Sequence, residues 1–303
     1  MTTTTKETVL TQRIDHYSES LNQSLWTKRV HILMISALVV MTGLFWLTPL
    51  DTVVSQRFLG PSGWVGSTYR LFAWFYFPLN AIFFVLPILI GSVIVFMSLA
   101  PTVRSKWAQP YRRIGLFMMT STLIGAGLFN SFLLKIIFAR PRPYAVFSGE
   151  ADYLRPLEIG VAYWGGMDMS FPSGHVSMAT VSVVFFFAFR TAINLRGKVM
   201  KWALGVALPL IAAPIMTVSR VAYGDHFLSD GIFAMALTYG VVCFMYHQMK
   251  VPEMHRCLEA NEASNAQCSL TRQDILFILI GVGIVLALMV ILMIRFDGLR
   301  RLV

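Results

Sequence analysis

The sequence predicts an all-α, polytopic transmembrane helical bundle: a six-span core followed by a seventh, C-terminal span. Three observations predict it. Of the 303 residues, 56% are hydrophobic and only 13% charged, with a mean hydropathy of +0.65, a balance wrong for a soluble domain. The apolar residues gather into uncharged runs long enough to cross a hydrocarbon core of about 30 Å. The net charge of +10 sits largely in short loops between those runs. That is the pattern of cytoplasmic loops obeying the positive-inside rule, so it does not argue for nucleic acid as a partner.

The elements follow in order. Residues 1–30 are polar, with Leu10, Ile14, Tyr17, Leu21 and Leu25 at roughly helical spacing. They fit an amphipathic helix lying on the membrane and a solvated tail equally well. The opening MTTTTKETVL lacks the apolar core of a cleavable signal, so the first span is expected to be retained. That span is Ile32–Leu50. A polar segment with Asp51 and Arg57 leads to the second, Leu71–Val103, with interfacial aromatics Trp74, Phe75 and Tyr76 at its start. After a basic loop (Arg104, Lys106, Arg112, Arg113), Ile114–Leu134 is the third span and runs directly into Lys135.

Residues 136–171 form the longest internal loop. The fourth span runs from near Pro172 to Phe189. Another basic loop (Arg190, Arg196, Lys198, Lys201) leads to the fifth, Trp202–Val218, and the turn Ser219–Asp230 leads to the sixth, Gly231–Met249. A polar linker over 250–274 and an uncharged run, Ile275–Ile294, complete the chain. The two basic loops fall on one side and place the N-terminus in the cytoplasm. Cys243, Cys257 and Cys268 form no CxxC or Cys/His ligand set, so neither a disulfide scaffold nor a metal site is indicated.

Three clusters carry chemistry. Lys135-Ile-Ile-Phe-Ala-Arg140-Pro-Arg142-Pro143 joins a point-charge ammonium to a forked guanidinium, a pair suited to phosphate oxygens. A snorkelling lysine with interfacial arginines would read the same. Phe171-Pro172-Ser173-Gly174-His175 opens a helix. Ser173 suits its N-cap, and the helix start favours an anion. Gly174 allows close backbone approach, and His175 can donate a proton near neutral pH. An ordinary cap followed by an interfacial histidine is the bland alternative. In the third cluster, Ser219–Asp230, a helix beginning near His226 makes His226 and Asp230 i,i+4 neighbours. Asp230 then fixes the tautomer and leaves the other imidazole nitrogen free to attack. Alone, this could be a helix-start ion pair. Span topology puts all three clusters at one membrane face, where ionisable residues mark a functional site.

Together these residues resemble the type-2 phosphatidic acid phosphatase superfamily. Its tripartite signature is Lys-x6-Arg-Pro, Pro-Ser-Gly-His and Ser-Arg-x5-His-x3-Asp. Here it reads Lys135–Pro143, Pro172–His175 and Ser219–Asp230, complete at every motif position. The resemblance covers about residues 114–249 and implies an integral-membrane lipid phosphatase that needs no metal or other cofactor. By that resemblance His226 is the nucleophile, Asp230 orients it, and His175 is general acid and then base. Lys135, Arg142 and Arg220, with Ser173 and the Gly174 backbone N–H, hold the phosphoryl oxygens. Arg140, outside the signature, is read as a head-group or interfacial contact.

The organisation expected is a tail (1–30), a membrane phosphatase domain (31–249), a cytoplasmic linker (250–274) and an added span and tail (275–303). The partners expected are the bilayer and a lipid phosphate, reached from the periplasmic face of a bacterial inner membrane. Phosphatidic acid, phosphatidylglycerol phosphate, undecaprenyl pyrophosphate and the phosphates of lipid A all fit, with an envelope lipid such as lipid A favoured. Loop 144–171 is either the head-group vestibule or a solvated connector. A phosphotransferase would use the same residues. A transporter lacks support, because no repeat and no mid-span charge is found.

Overall fold

Apolar side chains face outward over much of this chain. On the helix Pro78–Leu99, Ile82, Val85, Leu89, Val93 and Phe96 are all exposed at helical spacing, Phe96 by 74%. Such a stripe is untenable in water and natural against lipid tails. The computed structural model describes residues 28–29, 31–68, 78–99, 109–164, 168–192 and 194–259. The predicted amphipathic segment (apart from residues 28–29), the aromatics Trp74, Phe75 and Tyr76, and the seventh run all lie outside the described residues.

The chain divides into two compact units, 1–48 and 49–303. In the first, α1 (His31–Leu47) is a helix whose Thr42 hydroxyl donates to the Leu38 carbonyl, satisfying that polar group internally. The second unit begins with a short helix, α2 (Leu50–Arg57), a two-residue hairpin (β1 Leu59–Gly60, β2 Gly63–Trp64) and one helical turn, α3 (Val65–Thr68). Among the described residues four helices are long and apolar enough to span a membrane: α4 (Ile82–Leu99 of Pro78–Leu99), α5 (Arg112–Phe138), α8 (Leu195–Ala222) and α9 (Leu228–Gln248). Between them lie the short α6 (Pro143–Phe147) and the apolar α7 (Gly174–Ala188). The protein is a polytopic helical bundle, as the composition predicts.

Helix α7 is its axis. Val176, Ala179, Val181, Val184, Phe185, Phe187 and Ala188 are all buried, and α4, α5, α8 and α9 pack around it. A helix apolar on every side has to be surrounded. One polar knot fixes its position: the Asn130 amide of α5 donates to Ser177 Oγ of α7 (3.1 Å) and Thr238 Oγ1 of α9 (2.7 Å). In an apolar interior such bonds set helix register more than stability.

The end of the bundle away from the three clusters holds the one clear surprise in the linker. Val251–Glu259 forms a helix, α10, with Val251, Met254 and His255 buried. The polar character expected for 250–274 therefore does not extend through these residues, because an apolar stripe docks them onto α5 and α9. His255 Nε2 lies 2.9 Å from the Phe187 carbonyl and Nδ1 lies 3.1 Å from Thr191 Oγ1. A neutral imidazole satisfies both contacts, Nε2–H donating to the carbonyl and Nδ1 accepting the hydroxyl proton. Burial pushes this imidazole down to about 4, opposed by the Phe187 bond and reinforced by Arg190 and Lys201.

Below the ordinary histidine pKa of about 6.5 the unfolded chain takes up a proton that the folded one refuses. Stability from this group is thus complete above about pH 6.5 and is lost as pH falls towards 4. At about 1.4 kcal/mol per tenfold change in proton affinity, the loss is of the order of 3 kcal/mol. We expect the melting temperature in detergent to fall across that window, and the fall to be shallower in His255→Gln. Parallel profiles for the two proteins would refute this assignment.

Candidate active site

The three clusters converge at one end of the bundle, and backbone hydrogen bonds stitch them together. Tyr144 N–H, beside the first cluster, donates to the Gly224 carbonyl in the third (3.0 Å). Ser173 N–H, in the second, donates to the Asp230 carbonyl (3.2 Å). The long loop closes over the first cluster, with Ser170 N–H donating to the Arg140 carbonyl (2.8 Å) and Lys135 Nζ donating to the Met169 carbonyl (2.8 Å).

Local sequence explains each placement. Lys135 occupies the last turn of α5, which ends on Ala139 in the left-handed region (φ 44°). That conformation costs a non-glycine residue about 1–2 kcal/mol, and it turns the chain sharply so that Arg140 enters the interior. Arg142 is the extended N-cap of α6 (φ −80°, ψ 154°), the conformation a following proline favours. Its Nη1 pairs with Asp225 (3.0 Å), which also pairs with Arg220 Nη1 (2.9 Å), so one carboxylate ties the two guanidinium groups together. Arg142 Nε also meets Asp168 at 2.8 Å, but Asp168 is 59% exposed and water screens that pair. Arg220 is buried and stacks on Tyr223, 4.7 Å from its ring centroid.

Ser173 stands at the N-cap of α7, yet its side chain makes no capping bond. Its Oγ is buried with no hydrogen-bond partner, so the expected cap is replaced by an uncommitted hydroxyl. Gly174, where close backbone approach to a ligand is expected, also packs against α5. A Cβ there would lie 2.7 Å from Ser131 Oγ and 3.2 Å from Ser131 Cβ, so close packing against α5 also favours glycine at this position. Lys135, Arg142 and Arg220 all act electrostatically on His175, at the start of α7.

The His226–Asp230 pair forms as predicted but by a different geometry. Helix α9 starts at Leu228, so His226 precedes the helix and Asp230 sits in its first turn. Asp230 Oδ2 accepts the Phe227 N–H (2.8 Å), a backbone group the helix leaves unsatisfied. The same oxygen lies 3.5 Å from His226 Nδ1, a separation open to tightening when a ligand binds. His226 is 3% exposed and Asp230 fully buried. Burial pushes His226 down to about 3, Asp230 acting against this and Lys135 and Arg142 with it. The imidazole is therefore neutral at pH 7 and keeps a lone pair.

Arg140 corrects the reading of it as a head-group contact. It is 1% exposed. Its Nη1 contacts Asp230 Oδ1 at 2.6 Å and Ser229 Oγ at 2.8 Å; its Nη2 contacts Asp51 Oδ2 at 2.9 Å. Nε donates to the Leu154 carbonyl (2.8 Å), and the guanidinium lies 4.3 Å from the Phe227 ring centroid. Burial alone would lower its proton affinity, but Asp230 and Asp51 more than offset this and raise it. Asp51, Arg140 and Asp225 were missed as site residues because they fall outside the signature. One signal was available: Asp51 follows the first membrane-length run and so emerges at the same face as the clusters.

The hairpin contributes as well. Gly224, at φ +72°, packs under the Trp64 ring so closely that a Cβ would approach its atoms to 2.3 Å. Gly224→Ala combines a backbone penalty of about 1–2 kcal/mol with that clash, one residue from Asp225. We expect activity to fall at least tenfold, and pairing it with Trp64→Ala to restore part of the loss. Wild-type activity in the single variant would show that this packing is dispensable.

These features define a class first: a polytopic membrane protein with a buried histidine–carboxylate pair beside three cations at one end of its bundle. Residues 114–252 match the PAP2 superfamily. The chain is also 27% identical over 168 residues to the lipid A 4'-phosphatase of Francisella tularensis subsp. novicida (strain U112), over 54% of this chain and 72% of that protein. No solved structure matches. Among the described residues no group of three or more His, Cys, Asp or Glu is placed to hold a metal ion.

Proposed function

We propose that the protein is a lipid phosphatase that cleaves a phosphate monoester or pyrophosphate of an envelope lipid through a phosphohistidine on His226. The observation that carries this reading is the buried, neutral His226 backed by Asp230 and facing the charges of Lys135 and Arg142. Phosphoryl transfer asks little of the protein beyond positioning and positive charge around the equatorial oxygens. Lys135, Arg142, Arg220 and the Ser173 hydroxyl supply both.

In the first step the His226 lone pair forms a bond to phosphorus as the ester P–O bond breaks, and His175 gives its proton to the leaving oxygen. In the second, His175 takes a proton from water as the water oxygen bonds to phosphorus. The N–P bond breaks and its electron pair returns to His226. Asp230 stabilises the positive charge on the ring throughout.

A cavity of about 340 Å³ beside the site supports a head-group vestibule; Tyr144, Glu150, Tyr163, Trp164 and Asp168 are among its lining residues. The Francisella relative supports lipid A as a member of the substrate class. The distribution of Lys and Arg supports an inner-membrane protein with a cytoplasmic N-terminus and a periplasmic site.

The test is inorganic phosphate release by purified protein, in EDTA, from phosphatidic acid, phosphatidylglycerol phosphate, undecaprenyl pyrophosphate and lipid A. Release that His226→Ala lacks supports the proposal, and the relative rates rank the substrates. Phosphate appearing on an added lipid acceptor instead of free in solution would assign phosphotransfer. Release equal in the variant would end the histidine mechanism.

A further inference from the structure

Helix α2 lies outside residues 114–252, the region that matches the superfamily, yet its Asp51 is buried against the nucleophilic pair. Asp51 is fully buried. Its Oδ1 accepts the Ser229 N–H (2.9 Å), and its Oδ2 accepts the Ser229 hydroxyl and Arg140 Nη2 (2.9 Å). The Tyr153 hydroxyl approaches the same oxygen at 3.4 Å. Arg140 in turn grips Asp230 Oδ1 at 2.6 Å. A continuous chain therefore runs from Asp51 through Arg140 to Asp230 and His226.

Its charge balance has a consequence. Asp230 paired with Arg140 alone would be a neutral couple, and Arg140 would drain the carboxylate's power to stabilise a cation on His226. With Asp51 present the buried trio carries one net negative charge. When His226 attacks, its ring gains positive charge within this low-dielectric setting, where such compensation is strongest. Removing one partner of a buried pair also leaves the other uncompensated, so the two carboxylates share Arg140 in place of water.

We propose that Asp51 is a positioning residue for the nucleophile: through Arg140 it fixes the Asp230 carboxylate and supplies the excess negative charge that balances the charge His226 acquires. The role rests on the phosphatase reading above. It makes the segment before the superfamily domain a working part of the site, and Trp64 under Gly224 shows the same segment bracing the loop that bears His226.

The test uses full-length protein in detergent, with wild type and His226→Ala beside Asp51→Asn, Asp230→Asn and the double variant. Asp51→Asn keeps the size and the acceptor for Ser229, so it is expected to fold; Arg140→Lys keeps the central charge and serves as the second probe. Asp51→Asn should lower kcat about 10–100-fold, as loss of an outer partner does elsewhere, with KM changed less than about twofold. In the Asp230→Asn background the same substitution should cost less than about threefold more, because residues acting through one another are not additive. Arg140→Lys should lower kcat in the same way. An unchanged kcat in Asp51→Asn, a fully multiplicative loss in the double variant, or a rise in KM that accounts for the loss would each overturn the role. Absent wild-type release, or release surviving His226→Ala, would instead overturn the phosphatase reading and this role with it.

Discussion

His226→Ala is expected to lower turnover by between about 10⁴- and 10⁶-fold, the range found when a nucleophile is removed from an otherwise intact site. The cations proposed to hold the phosphoryl oxygens remain in place, so substrate binding should survive. The side chain is 3% exposed, so the melting temperature is measured beside the kinetics to separate lost chemistry from lost packing. The check is steady-state kinetics beside a binding measurement with a non-hydrolysable lipid phosphonate. Loss of binding together with turnover would move His226 from nucleophile to binding group.

His175→Ala is expected to show a dependence on leaving group that no structural role produces. With an alkyl or sugar phosphate the departing oxygen needs a proton, and loss of the general acid should cost about 10²–10⁴-fold. With p-nitrophenyl phosphate the leaving group departs unaided, and the phosphorylation step should lose less than about tenfold. The second step still needs a base, so the phosphoenzyme should accumulate and a burst of p-nitrophenol should precede a slow steady state. Equal losses for both substrates, without a burst, would contradict the acid–base assignment.

Much of this was legible in the sequence, for identifiable reasons. Uncharged runs of membrane length report spans directly, and helices α4, α5, α8 and α9 fall where those runs do. The clusters are legible together because alternating spans force their ends to one face. Less legible were contacts that depend on close packing. Arg140 looks interfacial in sequence, and only the left-handed turn at Ala139 sends it inward. Ser173 looks like a cap, but the observed hydroxyl bonds nothing. Asp51 precedes Ser229 by 178 positions, and no periodicity links residues so far apart; the contact exists because α2 folds back onto the start of α9. The helix α10 was hidden by its polar half.

The central claim is a covalent phosphohistidine on His226, and trapping it is the most direct measurement. p-Nitrophenyl phosphate carrying radioactive phosphorus, whose leaving group departs without a general acid, would be mixed with His175→Ala protein, in which breakdown of the intermediate is slowed, and quenched in alkali. Label is expected to be bound to protein, stable to alkali and labile to acid, located at residue 226 and absent from the protein that also carries His226→Ala. Phosphate release with no protein-bound label at any time, in either wild type or His175→Ala, would contradict it.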